Sequence, residues 1–136
     1  MAVTGDAIKI LHTEGTCNWP ITLDYSTHTI YWMDYCLYRI ESLNMNGDIV
    51  THSIPVRKTI LFSYGISQFE DTIYWTEPTK IFSVNKSTGQ PVVELYRGYS
   101  NNQLAGLEVV HASKQPPGGF ILSMYVCVFV CVCVSF

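Results

Sequence analysis

Charge is what this sequence has least of. Asp, Glu, Lys and Arg make up 14% of its 136 residues, all of them before Gln115, and the net charge is −3. With both signs scattered, there is no basic block to hold nucleic acid and no acidic tail. No CxxC pair and no HExxH run is present, so the usual zinc arrangements are excluded. Phosphate-cradling glycine loops and nucleophile elbows are also missing. No window keeps an apolar period of 3.6 residues, which predicts almost no helix. The first residues, MAVTGDAIKI, have neither the basic nor the apolar part of a secretory leader. The middle of the chain nevertheless looks extracellular, and the expectation is a chain that lacks its true beginning.

Repetition is what the sequence does have. TIYWMD at 29–34 returns as TIYWTE at 72–77, which sets Tyr31-Trp32 and Tyr74-Trp75 43 residues apart. Gly5, Gly47 and Gly89 follow one another at 42 residues. Around each Tyr-Trp pair lie short runs rich in Ile, Val, Tyr and Phe, divided by Gly, Asn, Asp, Ser or Pro. That is the pattern of short strands joined by tight turns. NMNGD at 44–48 and NKSTG at 85–89 supply the Asn and Gly that hairpin turns favour. Four strands per unit, with a period of about 40–45 residues, is the arithmetic of a β-propeller blade. Tyr-Trp then recurs because every blade needs large aromatics at the same place, and these are read as packing residues rather than ligand contacts.

These residues resemble the YWTD repeat, also called the low-density lipoprotein receptor class B repeat. The resemblance rests on ITLDYSTHTIYWMD (21–34) with RIESLNMNGD (39–48), and on GISQFEDTIYWTE (65–77) with KIFSVNKSTG (80–89). FED directly before the second Tyr-Trp is similar to the shortened final repeat of the megalin-like giant receptors. The implied fold is all-β: a partial YWTD propeller of the six-bladed type, with about two complete four-stranded blades and flanking strands. The implied divisions are 4–19 (end of a preceding blade), 20–62 and 63–104 (two repeats), 105–117 (closing strand) and 118–136 (an apolar Val/Cys tail). The implied motif residues are Tyr31, Trp32, Asp34, Tyr74, Trp75, Glu77, Gly47 and Gly89. In the family the acidic residue after Tyr-Trp supports contacts within and between blades. Met33 stands where the family has Thr, and Glu77 where it has Asp.

The resemblance also implies a function: a propeller of an endocytic lipoprotein-receptor-related ectodomain that binds and releases protein ligands beside EGF-like modules. Its parent lies at the cell surface, facing outward. A nidogen-like matrix scaffold and a non-functional truncated isoform are the alternatives. No enzyme activity, cofactor or nucleic-acid partner is expected. His12, His28, His52 and His111 are spread along the chain and read as turn or surface residues. Asp24, Asp34, Glu70, Asp71 and Glu77 fall near strand ends and read as turn or inter-blade groups. Asn85-Lys86-Ser87 is an N-glycosylation sequon in a turn, where a glycan is tolerated.

Two features stay open. Cys17 and Cys36 form either a disulfide or, as is commoner, two free thiols. The tail FILSMYVCVFVCVCVSF (120–136) allows three readings. A membrane span is at its lower length limit here. A buried strand has no evident partner sheet. The preferred reading is a translated GT-dinucleotide repeat, which spells Val-Cys, with one base change giving Phe129.

Two and a half blades cannot close a ring, and they leave apolar faces of several hundred Å² open to water. Residues 1–119 expressed alone are therefore expected to aggregate or to unfold with weak cooperativity. A sharp, reversible calorimetric transition from a monomer contradicts this.

Overall fold

The computed structural model describes residues 17–45, 52–56, 63–99, 104, 106–110, 125–128 and 132–135. The expected architecture is what these residues form: strands joined by turns, with no helix among them. The first four-stranded antiparallel sheet consists of β1 (Asn18–Asp24), β2 (Thr29–Asp34), β3 (Arg39–Asn44) and β4 (His52–Pro55), in sequence order. The second repeats it with β5 (Ile66–Phe69), β6 (Thr72–Glu77), β7 (Lys80–Asn85) and β8 (Val93–Arg97). β9 (Glu108–Val110) forms a third sheet with β10 (Tyr125–Val128) and β11 (Val132–Ser135), in the order β11-β10-β9.

The two full sheets share one register. Tyr31 opposes Ser42 and Trp32 opposes Glu41; Tyr74 opposes Ser83 and Trp75 opposes Phe82. The two sheets differ in the lengths of their turns. Four residues, 25–28 and 35–38, close the first two hairpins of the first sheet, whereas 70–71 and 78–79 do the same work in the second. His28 (φ 53°) and Tyr38 (φ 54°) end the long turns in the left-handed region, and Glu70 (φ 50°) opens a short one. Positive φ is what primed two-residue hairpin turns require at that place.

Successive side chains on a strand point to opposite faces, so adjacent Tyr and Trp must part company. Tyr31 and Met33, with Ile40, Ile54 and Val56, pack from the first sheet against Ile66, Ile73, Trp75, Phe82 and Val84 of the second. Tyr74 turns the other way, into a second cluster with Phe69, Ile81, Leu104, Leu107 and Val109. The seam between the two full sheets thus takes the Tyr face of the first blade and the Trp face of the second. Trp75 stacks on Phe82 across the strand pair, with ring centroids 5.4 Å apart and planes 18° apart. Trp75, Phe82, Met33 and Ile73 are each under 3% exposed. Burial of each such side chain contributes roughly 1.5–3 kcal/mol, so the seam is a major source of the fold's stability.

The structure bears on both features that the sequence leaves open. The tail was read as having no partner sheet, yet β10 pairs with β9 (Tyr125 opposite Val110) and β11 pairs with β10. An apolar, alternating segment provides backbone groups for β9, whose edge is otherwise open. Cys17 and Cys36, whose pairing the sequence leaves open with free thiols the commoner case, are joined in a disulfide with Cα atoms 5.6 Å apart. The bulged register at the start of β1 and the bond from the Tyr35 amide to the Cys17 carbonyl (3.4 Å) bring the two together.

Gly65 enters β5 with its backbone pressed against Gly106 and Leu107; a Cβ there would collide with the Leu107 nitrogen and the Gly106 carbonyl carbon. These obstacles are main-chain atoms, which cannot rotate away. Gly65→Ala is expected to destabilise the protein by about 1–3 kcal/mol. A urea midpoint unchanged from that of the parent chain contradicts the close approach.

Candidate functional site

The inner edge of the blades repeats as closely as the aromatics do. Thr22 and Ser67 occupy matching places, each opposite the Tyr of its Tyr-Trp pair. The Gln68 backbone amide donates to Thr22 Oγ1 (3.2 Å), and the Val109 amide donates to Ser67 Oγ (3.1 Å). β9 therefore stands to β5 as β5 stands to β1. The three are successive first strands of their sheets, and in β5 and β9 an edge amide is satisfied by a hydroxyl from the blade before.

Where β1, β5 and β9 come together they line a half-open groove of about 740 Å³. Its wall is apolar and aromatic: Ile21 (64% exposed), Leu23, Tyr25 (75% exposed) and Phe69. Its carboxylates are Glu70, from the β5–β6 turn, and Glu108, from β9, both exposed, together with the buried Asp24. Exposed carboxylates among exposed apolar side chains suit the capture of a chain bearing both cationic and apolar groups. Among the described residues, no group of three or more His, Cys, Asp and Glu side chains is placed to hold a metal ion.

Asp24 fixes the groove's corner. Its Oδ1 accepts from the Ser26 amide (3.0 Å), the Ser26 hydroxyl (2.6 Å) and the Thr27 amide (3.3 Å), and so shapes the β1–β2 turn. Its Oδ2 accepts from Lys86 Nζ of the second sheet at 2.8 Å. Burial pushes the Asp24 carboxyl up. The hydrogen bonds from Lys86, Ser26 and Thr27, with the Lys86 charge, outweigh burial and hold it well below the usual carboxylate range. The Lys86 side chain is 11% exposed and that of Asp24 is 3% exposed, so the pair is a largely dry pin between blades. Burial also raises the Tyr31 and Tyr74 phenols above their ordinary value.

The expected motif residues fall in the blade bodies and not in this groove. Tyr31, Trp32, Tyr74 and Trp75 are buried. Asp34 is fully buried, and its Oδ1 accepts from the Cys36 (3.1 Å) and Leu37 (3.0 Å) amides, which shapes the β2–β3 turn. Glu77, the matching residue of the second sheet, is 8% exposed and is followed by the two-residue turn Pro78-Thr79 in place of the four-residue turn after Asp34. Gly89 (φ +67°) lies 3.1 Å, from its would-be Cβ position, to Ile54 Cγ2 of the first sheet. Gly47 lies outside the described residues. Asn85 accepts the Ser87 (2.9 Å) and Thr88 (3.0 Å) amides at the end of β7. Asp24 was foreseen as a strand-end group; Thr22, Ser67 and Lys86 were missed. Thr22 and Ser67 precede their Tyr by different distances, because the intervening turns differ in length, so a search at fixed offset passes over them.

No known protein-family description matches the chain. The mouse protein "Low-density lipoprotein receptor-related protein 5" is 33% identical over 60 residues, covering 42% of this chain and 3% of that protein. A solved nidogen–laminin complex contains a similar structure, with a TM-score of 0.51 at 14% identity over 65% of this chain and 33% of that one. Saccharomyces cerevisiae Sqt1 gives 0.53 at 15%, over 79% of this chain and 27% of that one. Kuenenia stuttgartiensis hydrazine synthase gives 0.60 at 14%, over 95% and 36%. At these identities the structural likenesses establish the fold alone. A YWTD-like repeat on propeller blades is common ground between the sequence match and the nidogen structure. The chain spans only a small part of each of these proteins.

Lys86→Met leaves the Asp24 charge buried without its counter-ion and is expected to cost about 3 kcal/mol. A depressed native carboxyl stabilises fully above its ordinary pKa of about 4, and that contribution is lost as the pH falls below it. The parent chain is thus expected to weaken from neutral pH down to about pH 3 by more than the Lys86→Met variant does. Parallel stability–pH curves in chemical denaturation contradict the pin.

Proposed function

We propose that the chain is part of a ligand-binding propeller in the ectodomain of a low-density lipoprotein receptor-related protein, facing the outside of the cell. The groove at the innermost strands carries this reading. Its mouth combines Glu70 and Glu108 with exposed Ile21, Leu23 and Tyr25, a surface suited to a protein ligand bearing basic and apolar side chains. The Cys17–Cys36 disulfide supports an oxidising compartment. The match to the mouse receptor-related protein supports the receptor kind, and the short turns of the second sheet agree with a megalin-like final repeat. Neighbouring blades and an EGF-like module complete the assembly, and endocytosis followed by ligand release is the role of the parent.

The likeness to nidogen favours a second reading, a matrix scaffold that holds its partner without uptake. Surface binding to the immobilised chain, with lipoprotein particles and laminin as probes, separates the two. Under the receptor reading, lipoprotein binds at neutral pH and is at least about tenfold weaker on Glu70→Lys/Glu108→Lys, since reversed charges repel basic groups. Laminin binding with the same sensitivity favours the scaffold. Binding of neither probe, or binding indifferent to both substitutions, overturns the groove as the site.

A further inference from the structure

Asn85-Lys86-Ser87 is the sequence's single Asn-x-Ser/Thr run. The turn follows the pattern of the Asp24 and Asp34 turns, in which a strand-end side-chain oxygen accepts amides two and three residues ahead. The middle side chain, Lys86, runs back into the seam and is held there by Asp24. The Lys86 amide donates to the Asp71 carbonyl (2.8 Å) and the Gly89 amide to the Asn85 carbonyl (2.9 Å), so the turn is anchored at both ends. Ser87 and Thr88 face solvent, and Asn85 is half-buried. Asn85 Oδ1 accepts from the Ser87 amide (2.9 Å), the Thr88 amide (3.0 Å) and the Thr88 hydroxyl (3.2 Å). The carboxamide oxygen is thus turned into the loop. Its nitrogen, on the opposite arm of the planar group, has no hydrogen-bond partner among the described residues.

We infer that Asn85 is an N-glycan attachment site, and that the glycan stands beside the mouth of the groove. The inference rests on the proposed extracellular setting. In the attachment reaction Asn85 Nδ2 forms a bond to C1 of the first sugar of a lipid-diphosphate-linked oligosaccharide. The bond from C1 to the diphosphate oxygen breaks, and the lipid diphosphate leaves as one Nδ2 proton is lost. All three hydrogen bonds at Oδ1 survive the change, so the modified residue keeps its turn. Asn85 is not itself a lining residue, but its chain neighbour Lys86 is held by Asp24, which lines the groove, so the attachment point adjoins the corner pin along the chain. The glycan therefore bounds a groove ligand on the side of the second sheet. The equivalent residue of the first sheet, Asn44, is followed by Met45-Asn46 and has no sequon, so the screen is one-sided.

The full chain, translated behind a cleavable secretory leader in the presence of microsomal membranes, tests this on the protease-protected, lumenal fraction. A mobility shift that an N-glycan-removing amidase reverses is expected for the parent chain and for Ser87→Thr. The shift is expected to vanish in Ser87→Ala and in Asn85→Asp, which retains the oxygen that shapes the turn while removing the acceptor nitrogen. Glycan transfer to the nascent chain precedes folding, so a variant that folds poorly still reports. A lumenal chain whose Cys17–Cys36 disulfide forms, seen as reductant-dependent mobility, but which shows no shift overturns the glycan site and leaves the extracellular reading standing. A shift that persists in Asn85→Asp also overturns it.

Discussion

A β-strand cannot turn two neighbouring large side chains to the same side. From this constraint the rest of the structure follows. A Tyr-Trp pair on the second strand of a blade makes both faces of that blade apolar and aromatic, so each blade requires a neighbour on either side. Tyr31 and Met33 meet Trp75 and Phe82 across one seam, while Tyr74 opens the next seam toward Leu107 and Val109. The segment after the second sheet packs there because Tyr74, Phe69 and Ile81 would otherwise face water.

Polar groups settle how the blades line up once apolar packing has brought them together. Hydrophobic contact tolerates sliding; a hydrogen bond or a close main-chain approach does not. The Thr22 hydroxyl on the Gln68 amide, the Ser67 hydroxyl on the Val109 amide, the Asp24–Lys86 pair and the Gly65 contact with Gly106–Leu107 fix that alignment. They lie at the inner strands and along the seams between sheets. The groove is a consequence: once β1, β5 and β9 are held in line, their exposed side chains form one concave surface. A salt bridge that serves stability, Asp24–Lys86, also sets the groove's corner, so the shape of the groove and the assembly of the blades are mechanically linked there.

Most of the blade architecture was legible in the sequence because it is local. The recurrence of Tyr-Trp, the glycine period and the Asn-rich turns each depend on residues within one hairpin, and β2, β3, β6 and β7 fall where the pattern places them. Asp34 and Asn85 were recognisable as turn residues for the same reason: their partners lie two and three residues ahead. The strands of the tail were legible as alternation, but their pairing with β9 joins positions far apart in the chain.

The sequence by itself determined the strand-and-turn rhythm, the all-β class and the two-faced apolar character of each blade, since these need only neighbours along the chain. Tertiary structure alone decided which hydroxyl meets which amide, that Lys86 reaches Asp24 62 positions away, that Cys17 pairs with Cys36, and that Glu70 and Glu108 share one groove. Such contacts depend on how one sheet is set against the next. That offset is fixed by packing across the seam and by turn lengths that differ between the repeats, and no stretch of either repeat records it.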